Sequence, residues 1–99
     1  MRKIKEYVEW LDDEICGAKL YAEKYIELKA DGDTQTAGKF KNIAQTELEH
    51  ATFIHGFIVK EINKIRTVYV APQEMLDKWD HEHKSYVERV AWVKQMLEM

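Results

Sequence analysis

One proline, Pro72, and four glycines are the only strong chain breakers in 99 residues, and no proline stands before position 72. A stretch of that length without proline, with apolar residues every three or four positions, leaves few options besides long helices. Over residues 3–30, Ile4, Val8, Leu11, Ile15, Ala18, Ala22 and Tyr25 recur at alternating spacings of four and three, the stripe of a helix that packs in a bundle. Asp31-Gly32-Asp33 should end it, because Gly32 can take the left-handed conformation and Asp33 or Thr34 can cap the next helix. A turn this short sends that helix back antiparallel.

The second helix is expected over about 34–66, with Phe40, Ile43, Ala44, Leu48, Ala51, Ile54, Ile58, Ile62 and Ile65 as its buried stripe. Gly56 inside it costs about 1 kcal/mol. Thr67-Val68-Tyr69-Val70-Ala71 is rich in β-branched residues and reads as an extended crossover, with Pro72 at the first position of a third helix that continues over about 73–97. That helix would present Leu76, Trp79, His83, Tyr86, Val90, Val93 and Leu97 on one face. The expected fold class is therefore all-α, a single domain over 1–99 made of an antiparallel helical hairpin plus a third helix.

A chain of this size buries only about 65% of its unfolded surface, so a three-helix core is thin and a partner chain would help. Hydrophobic residues at 45% and charged residues at 33% are a globular balance. A net charge of -3 offers no basic face large enough to neutralise a row of phosphates, which argues against nucleic acid as a partner. The longest mostly apolar stretch, 51–59, is far below the roughly 20 residues of a membrane span. The acidic residues Glu9, Asp12, Asp13 and Glu14 interrupt any signal-peptide core. A lone cysteine, Cys16, read as a buried or boundary thiol, fits a reducing compartment, so the expected location is cytoplasmic.

The informative residues are those that break the apolar stripes. Glu14 lies in the run Tyr7, Leu11, Glu14, Ala18, Tyr21, Tyr25, and Glu47 and His50 lie in the run Phe40, Ile43, Glu47, His50, Ile54, Phe57. Glu49, about 200° around the helix from Glu47, should face solvent. In a hairpin folded about Gly32, facing residues have numbers that sum to about 64, so Glu14 should face position 50, with Glu47 about 4.5 Å away along the axis. Buried carboxylates are strongly unfavourable unless something positive neutralises them, and a metal ion does so. One glutamate plus one Glu-x-x-His is half of what a four-helix carboxylate di-metal site requires. A twofold homodimer would supply the other half, its four carboxylate charges balancing two divalent ions.

This arrangement resembles the ferritin-like superfamily. Ile43-Ala44-Gln45-Thr46-Glu47-Leu48-Glu49-His50-Ala51 is similar to the second-helix motif of rubrerythrins and of the short, hairpin-type encapsulated ferritins, and the likeness covers about residues 7–62. It implies a ferritin-like four-helix bundle completed by homodimerisation, with Glu14 as a terminal iron ligand, Glu47 bridging two irons and His50 as a second terminal ligand. Tyr21, seven residues after Glu14, stands where ferritins commonly place a tyrosine near the di-iron centre. The implied activity is ferroxidase chemistry, in which ferrous iron gives electrons to dioxygen or peroxide, with a role in iron storage or detoxification. Carboxylate and imidazole donors suit iron(II) or manganese, and zinc could occupy the same site.

Two other readings stay open. One is rubrerythrin-like peroxide reduction at the same residues, although the four cysteines of a rubredoxin-like iron site are absent. The other is a metal-free helical interaction or assembly protein in which Glu14, Glu47 and His50 form a polar layer that sets dimer register. His55 and His83 read as packed or partly exposed histidines, and Trp10, Trp79 and Trp92 as core or interface anchors.

Overall fold

In the computed structural model, residues 2–68, 70 and 72–99 are described. They form three α-helices and no strand: α1 (Arg2–Ala30), α2 (Thr34–Val68) and α3 (Gln73–Glu98). Gly32, at a φ of +88°, closes α1. Its N–H donates to the Lys29 carbonyl at 3.1 Å, and the Asp33 N–H donates to that of Leu28 at 3.0 Å. This reciprocal pair satisfies the last carbonyls of the helix and needs a residue without Cβ at its centre. Asp33 then begins α2, its Oδ1 accepting the Thr36 N–H at 3.1 Å, so of the two candidate caps it is Asp33 that acts.

α1 and α2 pack through small residues. Ala18 and Ala22 face a stripe that includes Ala44 and Ala51, all four fully enclosed, while Leu11, Ile15, Ile58 and Ile62 fill the space between the axes. Each of these larger side chains contributes roughly 1.5–3 kcal/mol by leaving water. α3 adds Val90, Val93, Met96 and Leu97 to the same core. The result is a rod of 56 × 17 × 17 Å. No helix among the described residues is long and apolar enough to cross a membrane.

Several expectations are corrected. Thr67 and Val68 belong to α2 rather than to an extended crossover. The Thr67 hydroxyl donates to the Lys64 carbonyl at 2.8 Å, tying the residue to the final turn. Tyr69 and Ala71 lie outside the described residues. Pro72 precedes α3 as its cap, with ψ at 137°, and its carbonyl accepts the N–H groups of Met75 and Leu76. Ile43 and Cys16 are exposed rather than packed, and His83 lies at the exposed edge of the α3 stripe.

The side on which α3 docks matters most for function. Arg89 of α3 donates to Asp12 of α1 at 2.6 Å, and Tyr86 of α3 stacks on His55 of α2 with ring centres 4.0 Å apart. Asp12 is about 200° around α1 from Glu14, and His55 about 140° around α2 from His50. α3 thus covers one face of the hairpin, and the acidic interruptions lie on the other.

Candidate metal centre

Glu14, Glu47 and His50 converge. One donor atom from each lies within 4.8 Å of the others, and Glu14 Oε2 is 3.5 Å from His50 Nδ1. Helical periodicity sets the angle of each side chain and the Gly32 turn sets its height. The pairs Glu14–His50, Gly17–Glu47 and Tyr7–Phe57 all meet across the hairpin, and each sums to 64. The expected register holds along this whole face.

The electrostatics are those of a site short of positive charge. Glu14 Oε2 is buried with no hydrogen-bond donor on it. Its near neighbour is another acceptor, the Glu47 carboxylate, so Glu47 titrates above the usual carboxylate range. The hydrogen bond it forms with Glu14 when protonated is the main cause; burial and the Glu14 charge add to it, and His50 opposes it. Two facing carboxylates, one of them raised in pKa by the other, are a place where a cation can take the part of a proton. Donors on one first-row ion lie up to about 4.2 Å apart, twice a bond of about 2.1 Å. Small carboxylate rotations therefore bring all three onto one ion.

The surroundings are half open. The Glu14 side chain is 16% exposed and that of His50 53%, so the imidazole edge faces outward. Beside them lies an apolar groove of about 500 Å³ walled by Tyr7, Trp10, Phe53 and Phe57. Tyr7 and Phe57 meet edge to face at 4.7 Å, while Trp10 and Phe53 stand 53% and 75% exposed. Tyr21 is half-buried with its ring stacked on Phe40 at 6.0 Å, and it lies outside the group of three. Glu49 is exposed, as its angle on α2 requires.

Gly17 is the feature of this site that a search for ligating residues passes over. A Cβ built there would stand 3.3 Å from Glu47 Oε2, tighter than ordinary contact, so the glycine makes room for the carboxylate. Its position carries a signal, since Gly17 is three residues after Glu14 and complements position 47 in the hairpin register.

No protein-family model matches the chain, and no curated protein or solved structure is significantly similar to it.

Proposed function

We propose that this is a ferritin-like di-iron carboxylate protein with ferroxidase-type activity, in which ferrous iron is the substrate and dioxygen or peroxide the oxidant. The observation that carries the reading is the meeting of Glu14, Glu47 and His50 around a buried carboxylate oxygen that has no donor. A polar layer evolved only for packing would satisfy that oxygen from the protein itself. A cation held by the three side chains would satisfy it.

Glu14, Glu47 and His50 would hold the iron, with Glu47, nearest Gly17 and the Glu14 carboxylate, as the ligand best placed to be shared between ions. Anionic oxygen ligands favour the ferric over the ferrous charge, which drives oxidation. Iron would neutralise the facing Glu14 and Glu47 carboxylates, and the Tyr7–Phe57 wall shields one side of the site from bulk water.

A second copy of the chain completes the site in this proposal. One hairpin carries half of the ligands that a four-helix di-metal centre uses. The acidic face is flanked by exposed Trp10 and Phe53, the kind of aromatic anchors that dimer interfaces bury. α3 sits on the opposite face, where it does not block a partner.

The test is anaerobic purification followed by elemental analysis and oxygen uptake. About one iron or manganese per chain is expected, with dioxygen consumed on addition of ferrous iron and both lost in Glu47→Ala. A fully stable protein that holds no metal and consumes no oxygen would return Glu14, Glu47 and His50 to the role of a metal-free polar layer. Faster turnover of hydrogen peroxide than of dioxygen, with added reductant, would assign peroxide reduction instead.

A further inference from the structure

A second pair of ligating side chains lies on the α3 side of the hairpin. His55 Nε2 of α2 and His83 Nδ1 of α3 are 2.8 Å apart and share a hydrogen bond. The rings are held in place by aromatic neighbours. Tyr86 stacks on His55 at 4.0 Å with an interplanar angle of 10°, and Trp79 packs 5.5 Å from His55 and 6.0 Å from His83. Sharing a hydrogen bond requires that at least one ring nitrogen offer its lone pair, which is also the form that binds metal.

We propose that His55 and His83 form a second metal site, for an imidazole-preferring divalent ion such as nickel(II) or copper(II), and that the bound ion staples α3 to α2. Two nitrogens at right angles on an ion with bonds of about 2.05 Å lie about 2.9 Å apart, whereas tetrahedral ligands lie about 3.3 Å apart. An ion of either geometry therefore needs the two nitrogens to part by only about 0.5 Å or less from the 2.8 Å of the hydrogen-bonded pair, and imidazole donors suit copper(II) and nickel(II). Moving the proton between the rings to the other nitrogen of its own imidazole keeps both histidines neutral, and turning the exposed His83 ring outward then brings both lone pairs onto one ion.

The donor set also separates this site from the carboxylate centre. Among the described residues, Glu14, Glu47 and His50 are the only group of three acidic, histidine or cysteine donors already drawn together. The His55–His83 site is a pair, and water would complete the coordination of an ion held there. Imidazole nitrogens suit nickel and copper, whereas carboxylate oxygens suit iron(II) and manganese, so the two donor sets differ in chemistry. Because His55 and His83 meet only when α3 is docked, binding adds its free energy to docking.

Calorimetry and thermal unfolding of the full chain with Ni²⁺ test this, in wild type and in a Glu47→Ala background that silences the carboxylate centre. One Ni²⁺ per chain is expected in the Glu47→Ala background, where the histidine variants are also compared, with a rise in Tm of several degrees. His83→Gln, at an exposed position where helicity is readily checked by circular dichroism, should weaken binding at least tenfold and abolish the Tm rise. His55→Gln should do the same. The proposal is overturned if both variants bind Ni²⁺ as wild type does, if Glu47→Ala alone removes the binding, or if Ni²⁺ binds without raising Tm.

Discussion

Glu14 Oε2 lies 3.5 Å from His50 Nδ1 across the hairpin, yet it is buried and receives no hydrogen bond. A side chain that weakens the metal-free fold and orders the ligands of a cation should separate stability from binding. Glu14→Gln puts an amide donor beside Glu47 and removes one charge. It should raise metal-free stability by about 1 kcal/mol in urea denaturation while lowering iron or manganese affinity about 100-fold or more in equilibrium dialysis.

Gly17→Ala separates the same two quantities at a residue that ligates nothing. Alanine is better than glycine inside a helix by about 1 kcal/mol, but its Cβ would press on Glu47 Oε2 at 3.3 Å. Unfolding should show stability unchanged or raised, and metal titration should show affinity lowered about tenfold, the size of effect typical of groups that orient a ligand.

Glu82 makes the docking of α3 sensitive to pH. Its carboxyl is pushed up from 4.5 to about 7, first by burial, then by its hydrogen bond to Asp12 and the Asp12 charge, against the lowering effect of Arg89. The folded state therefore keeps a proton that the unfolded chain releases. The stability from this group is full below 4.5 and is lost as the pH rises through about 7. The loss should be on the order of 2 kcal/mol. Glu82→Gln keeps a donor for Asp12 and should flatten the dependence, making the variant more stable than wild type at alkaline pH in thermal unfolding.

Phe53 tests the dimer. It is 75% exposed, so Phe53→Lys should leave helicity and monomer stability within about 0.5 kcal/mol of wild type. Sedimentation should show a dimer for wild type and a monomer for the variant, and ferrous iron oxidation should fall with the dimer.

The Glu14–His50 contact is legible in the sequence because two simple periods determine it. The helical repeat gives the direction of a side chain, and a turn centred on Gly32 gives its height. The same turn narrows the cap of the second helix to Asp33 or Thr34, and the structure selects Asp33. The position of α3 is not legible, because it rests on cross-helix contacts such as Arg89–Asp12 and His55–His83, between residues with no periodic relation. The stripe rule misplaces Ile43 and His83 for a related reason: an apolar stripe states which way a residue faces, not whether anything in the same chain covers it. Cys16 is misjudged from the general tendency of cysteines to be buried, against a helix angle that points it outward.

Because α3 closes the back of the hairpin, a single chain encloses its own core of buried residues, and on the dimer proposal folding does not wait for a second copy. The complete iron site does wait for one. Folding is then first order in protein and assembly of the complete iron site is second order, so at low expression the chain is a folded half-site that offers iron only the three ligands of one chain. A rise in protein concentration would by itself complete the site, with no change in the affinity of any one ligand.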